Sequence, residues 1–67
     1  MTVSVNRKLK SLRVMLDLTQ EDLAQILSMH EVTYNRKEQG LSKFSLDEAK
    51  IISDYFGESI EKIFFAH

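Results

Sequence analysis

The stretch LTQEDLAQILSMHEVTYNRKEQG, residues 18–40, decides the fold. Thr19 precedes Gln20-Glu21-Asp22 and reads as an N-cap, because its hydroxyl can accept from the free N–H groups of a first helical turn and the acids suit the positive helix end. Leu18 before the cap and Leu23 four residues after it form a hydrophobic staple. Leu23, Ala24, Ile26 and Leu27 supply the apolar face of a short helix. Ser28-Met29-His30 then breaks it without a proline. A further helix follows over about residues 31–39, with Met29 and Tyr34 as a second staple around a cap at His30. Gly40 stops it at a left-handed position. Two helices joined by about three residues cross steeply, as in a helix-turn-helix.

On the N-terminal side, Val5, Leu9, Leu12 and Leu16 recur at helical spacing and draw one apolar stripe on a helix over about residues 6–17. On the C-terminal side, Ser45-Leu46-Asp47-Glu48 is a capping box. It opens a helix through Tyr55 that puts Leu46, Ala49, Ile52 and Phe56 in the core with Ile51 nearby, and Gly57 ends it. Ser59 caps a short last helix carrying Ile60, Ile63 and Phe64. No segment alternates with period two for the length of a strand. The chain therefore reads as one all-α domain over residues 1–67, built of five short helices.

At 67 residues the core is modest, and the helices must be locally well made. Zero cysteines exclude disulfides, thiol catalysis and thiolate metal sites. No apolar run approaches the length of a membrane span, and no charged-then-apolar stretch opens the chain, so neither a membrane partner nor a secretory leader is expected. Charge is uneven. Residues 1–43 hold seven basic residues against five acidic ones, a balance of +2; residues 44–67 hold two against five, a balance of −3. The histidine at position 30 with Glu31 lacks the second histidine of a zinc helix. Ser45 and Ser59 read as caps rather than nucleophiles, since no histidine partner is suggested. Neither an enzyme, a cofactor, a metal nor a small-molecule ligand is indicated, which leaves binding as the function class.

Gln20, Leu23-Ala24 and Glu38-x-Gly40 sit at the spacing of a known pattern, and residues 9–64 resemble the Cro/phage-repressor (Xre-type) helix-turn-helix family. Leu9-Lys10-Ser11-Leu12-Arg13 looks like its first helix, residues 18–24 like its most specific signature, and Phe56-Gly57-x-Ser59-Ile60-Glu61-x-Ile63 like its last-helix motif. The resemblance implies a lambda-repressor-like five-helix domain whose third helix lies in the major groove of operator DNA. It implies base contacts from Glu31, Val32, Asn35 and Arg36. Phosphate contacts would come from Thr19, Gln20, Thr33, Gln39 and Lys43, with the helix-turn-helix core at about residues 19–39. Arg13 and Glu38 match a structural salt bridge found in part of the family. A bacterial or phage-encoded protein of the cytoplasm, acting as a homodimeric repressor, is the implied setting.

The residue chemistry fits these roles. Val32 and Arg36 share one helical face, as do Glu31 and Asn35. Arg36 can fork to guanine, Asn35 can pair with adenine, and Val32 can touch a thymine methyl. Four positions depart from the family pattern: Ser28 replaces the usual turn glycine, Lys37 an apolar residue, Phe44 a common proline, and Glu31 puts a carboxylate at the groove entrance. Ile60, Ile63, Phe64, Phe65 and Ala66 place more apolar surface at the C-terminus than one short helix can bury. Either Phe65 folds back or the segment, with Ile60 and Phe64, forms a dimer or partner surface. Two other readings stay open: an antirepressor or modulator that binds another repressor through a helix-turn-helix scaffold, and an antitoxin-type autorepressor.

Overall fold

The computed structural model describes residues 6–65. Five helices follow one another: α1 (Arg7–Met15), α2 (Gln20–Ile26), α3 (Glu31–Glu38), α4 (Leu46–Phe56) and α5 (Ile60–Phe64). Among the described residues there is no strand, and the domain is all-α as the periodicity implies.

Three of the five helix starts are set by hydroxyls. The Thr19 hydroxyl oxygen accepts from the Asp22 N–H at 3.1 Å while the Asp22 carboxylate accepts from the Thr19 N–H at 2.8 Å. Ser45 and Glu48 make the same reciprocal pair, and Ser59 accepts from the Lys62 N–H. His30 starts α3 without any side-chain cap. There the Met29–Tyr34 staple takes that place: Tyr34 belongs to the core cluster and Met29 packs against it.

Helix stops share one device. α1, α2 and α3 each end with a left-handed residue one past the cap, and the next N–H bonds back five residues: Leu18 to Arg13, Met29 to Ala24, Leu41 to Arg36. Gly40 takes the left-handed position with φ 82°, but Asp17 and Ser28 take it with φ 57° and 56°. A side chain at such a position is disfavoured by on the order of 1 kcal/mol. The serine in the turn therefore keeps the backbone path that glycine would give, at an energetic cost.

The core consists of Leu9, Leu12, Leu23, Ala24, Leu27, Tyr34, Ile52 and Ile63, with Leu18, Ile26, Met29, Phe44, Phe56 and Phe64 packed against it. Phe44 tilts against both Tyr34 and Phe64, with ring centroids 6.0 and 5.5 Å apart. It ties the loop after α3 to α5. Three expectations fail. Leu16 is exposed because α1 ends at Met15, one residue before the stripe's next turn; Arg13 occupies the inward position instead. Leu46 is exposed because it is the first residue of α4 and its side chain leans past the helix start. Ile51 faces outward on α4. Val5 and Ala66 lie outside the described residues.

Candidate nucleic-acid interface

Helix α3 is held by its inner side. Tyr34 is fully buried and Glu38 is 2% exposed. The Arg13 guanidinium donates from Nε to Glu38 Oε2 at 2.9 Å and from Nη2 to Oε1 at 3.1 Å, a fork joining α1 to α3. Its Nη1 donates to the Leu18 carbonyl at 2.8 Å, fixing the chain just ahead of α2. The Tyr34 hydroxyl donates to Glu38 Oε2 at 2.6 Å and Gln20 Nε2 to Oε1 at 3.2 Å. One carboxylate thus accepts from three helices. Burial alone would push the Glu38 carboxyl up, but the hydrogen bonds from Arg13, Tyr34 and Gln20 outweigh it and hold the group below the usual glutamate range. The same bond to Glu38 raises Arg13. Burial, then the bond to Glu38, pushes the Tyr34 phenol up, so it stays a donor.

A second set of contacts clasps the far end of α3. Asn6 sits at the cap position of α1 but its side chain does not cap that helix. It donates through Nδ2 to the Lys37 carbonyl at 2.9 Å, and its backbone N–H donates to the Glu38 carbonyl at 2.9 Å. Two C-terminal carbonyls of α3 are thereby satisfied by the start of α1. Lys37 lays its stem inward and donates from Nζ to Glu48 at 2.7 Å, over the Phe44 ring. Burial alone would raise Glu48, yet this bond and those at the α4 cap lower it.

The outer side of α3 is open. Glu31, Val32, Thr33, Arg36 and Gln39 are exposed, Val32 by 73%, and Asn35 is half-buried. Among the described residues Arg36 makes neither an ion pair nor a side-chain hydrogen bond. Residues 31, 32, 35, 36 and 39 lie together on this one helix. Thr19 and Gln20 stand at the start of α2, the helix that packs most extensively on α3. There the Thr19 and Asp22 N–H groups are already used by the capping box. Gln20 is half-buried and engaged on both sides: besides its bond to Glu38, its Oε1 accepts from Asn35 Nδ2 at 2.8 Å. Lys43 is exposed and borders a groove with Phe44, Leu46 and Phe65, in the loop that follows α3.

The Tyr34 hydroxyl, Asn6 and the Gln20–Asn35 bond lie outside what the sequence pattern indicates. Tyr34 and Glu38 are four apart on one helix, a spacing that already brings them together. Asn6 and the Gln20–Asn35 bond left no such signal, because each joins residues at least fifteen apart.

The remaining features lie at the C-terminal end. Gly40, Phe44, Leu46, Ile60, Phe64 and Phe65 help line an apolar groove of about 530 Å³. Phe65 is 66% exposed and Leu46 76%, so Phe65 does not fold into the core. Ile60 and Phe64 are half-buried. Among the described residues no helix is long and apolar enough to cross a membrane.

A helix-turn-helix family model matches residues 9–63. Searches of curated proteins and of solved structures return no match. The matched span runs from Leu9 in the core of α1 to Ile63 in α5, so it takes in α2, α3 and α4 whole and most of α1 and α5. The chain belongs to the Cro/Xre-type helix-turn-helix family, a family of DNA-binding regulators.

Proposed function

We propose that this protein is a sequence-specific transcriptional regulator of the phage-repressor type that reads an operator half-site with α3 in the major groove. The observation that carries this reading is the division of α3 into an anchored side and an open one. Tyr34 and Glu38 fix the helix, while Glu31, Val32, Arg36 and Gln39 are exposed on its other side, with Asn35 half-buried between them and Gln20. Arg36 supplies a forked donor for guanine, Asn35 a donor–acceptor pair for adenine, and Val32 an apolar contact for a thymine methyl. Thr19, Thr33, Gln39 and Lys43 are the phosphate contacts, setting register on the duplex. Glu31 accepts from cytosine N4 or from a bridging water, and it repels phosphate at any site that offers neither.

A domain of 30 × 25 × 22 Å makes too few contacts to bind one half-site tightly, so a homodimer on two half-sites about 34 Å apart is the working form. The apolar groove with Ile60, Phe64 and Phe65 is its interface. Phe65→Ser should shift sedimentation toward monomer, and an unchanged sedimentation coefficient would remove the groove from the dimer.

The same groove favours a second reading, in which the chain modulates another repressor by binding it there. Selection of bound sequences from random DNA, at two salt concentrations, separates the two. A palindromic consensus supports the regulator. Absence of enrichment at low salt gives the weight to the modulator.

A further inference from the structure

Gln20 stands in a chain of side-chain hydrogen bonds whose polarity is forced from one end. The Glu38 carboxylate, gripped by Arg13, can only accept. Gln20 must therefore turn its NH₂ toward Glu38, as it does at 3.2 Å. Its carbonyl then faces Asn35, which must answer with its own NH₂, at 2.8 Å. Each amide has two orientations that look alike in shape but exchange donor for acceptor. Here an ion pair between α1 and α3 chooses among them for both. Asn35 is left with its Oδ1 and one N–H unengaged among the described residues. One acceptor beside one donor is the set that matches adenine N6 and N7.

We propose that Gln20 is a positioning residue for base reading: anchored on Glu38, it locks the Asn35 amide in the one orientation that selects adenine at a single position of each half-site. The proposal rests on the DNA-reading role given above and changes what Gln20 is for. A phosphate contact weakens binding to all sequences alike when lost. A lock on Asn35 weakens discrimination at one base pair, because an Asn35 amide free to turn over presents donor and acceptor in either order. Thr19, beside Gln20 at the start of the same helix, has no side-chain bond to α3 and would not share this effect.

The test compares sequence selection from random DNA by the wild-type protein, Gln20→Met, Asn35→Ala and the double variant, each checked for native helix content. Methionine keeps the length of the side chain and removes both polar atoms. Wild type should prefer adenine at one position by about tenfold. Asn35→Ala should abolish that preference and leave the others. Gln20→Met should lose preference at the same position, and the double variant should lose no more than either single one. A Gln20→Met profile unchanged in base preference, or altered at a different position from Asn35→Ala, overturns the positioning role while leaving the DNA-reading role standing. No enrichment by the wild-type protein at low salt overturns both. Should Gln20→Met not fold, side-chain amide relaxation in the wild-type protein decides. The Asn35 NH₂ should be as ordered as the backbone while that of exposed Gln25 is mobile, and equal mobility of the two refutes the lock.

Discussion

Glu38 and Arg36 sit two residues apart on the same helix and live in opposite worlds. Glu38 is 2% exposed and accepts from Arg13, Tyr34 and Gln20, whereas Arg36 faces outward with no partner among the described residues. What separates them is only the 200° that two residues turn along an α-helix. The contrast teaches how a domain with a small apolar core can hold one helix rigid while leaving half of it bare. The inner side of α3 is fastened by charge and directional bonds as well as by packing, and every buried side-chain polar atom among the described residues has a partner. Directional bonds fix rotation about the helix axis, which packing of one tyrosine would leave less defined, and rotation determines which side chains meet a groove.

The sharpest way to break this contrast is Glu38→Ala. It strands the Arg13 guanidinium, 8% exposed, without its carboxylate. Urea denaturation should show a loss of ~3–5 kcal/mol, and a loss under ~1 kcal/mol would mean the fork contributes little net stability. Next in size, Arg36→Ala should weaken operator binding by about 1–3 kcal/mol and relax preference at one base position. The same change should leave stability within ~0.5 kcal/mol, since nothing in the fold leans on it. Unchanged affinity and preference in a binding titration would show that the bare side is not the reading side.

A smaller effect of the same kind comes from acid. The folded-state carboxyls of Glu38 and Glu48 lie below their ordinary value, so the unfolded chain binds more protons there as pH falls. Their contribution to stability is complete above the unfolded glutamate value of about 4.3 and drains away as the pH drops through the lower folded values. Thermal melts from pH 6 to 3 should therefore show a falling Tm whose slope flattens in Glu38→Ala. Smallest of all, Ser28→Gly should raise stability by ~0.5–1 kcal/mol, because glycine accepts φ near 56° without penalty. It should do so without altering base preference, since the turn keeps its path. A changed preference would show that the turn tunes the tilt of α3.

Much of this arrangement is legible in the amino-acid order. The hydroxyl caps at Thr19, Ser45 and Ser59 and the stops at Gly40 and Gly57 follow from local chemistry, so helix boundaries read well. Burial was harder at helix ends: Leu16 and Leu46 continue an apolar stripe in sequence, but each lies where its helix no longer faces the core. Periodicity reports a face and is silent on where the neighbouring helix stops. The pairing of Arg13 with Glu38 came only from family resemblance, because contacts across twenty-five residues leave no local trace. The Gln20–Asn35 bond leaves no signal in the sequence, where the two residues read as independent DNA contacts; in the structure their side chains are joined.

The grip of Asn6 on the last carbonyls of α3 bears on how this protein is handled in the laboratory. Anything spliced ahead of residue 6, whether a purification handle, a fluorescent protein or a surface tether, joins the chain next to the residue that holds the C-terminal end of α3 through two hydrogen bonds. Immobilisation for affinity measurement should therefore use labelled DNA with the protein left free.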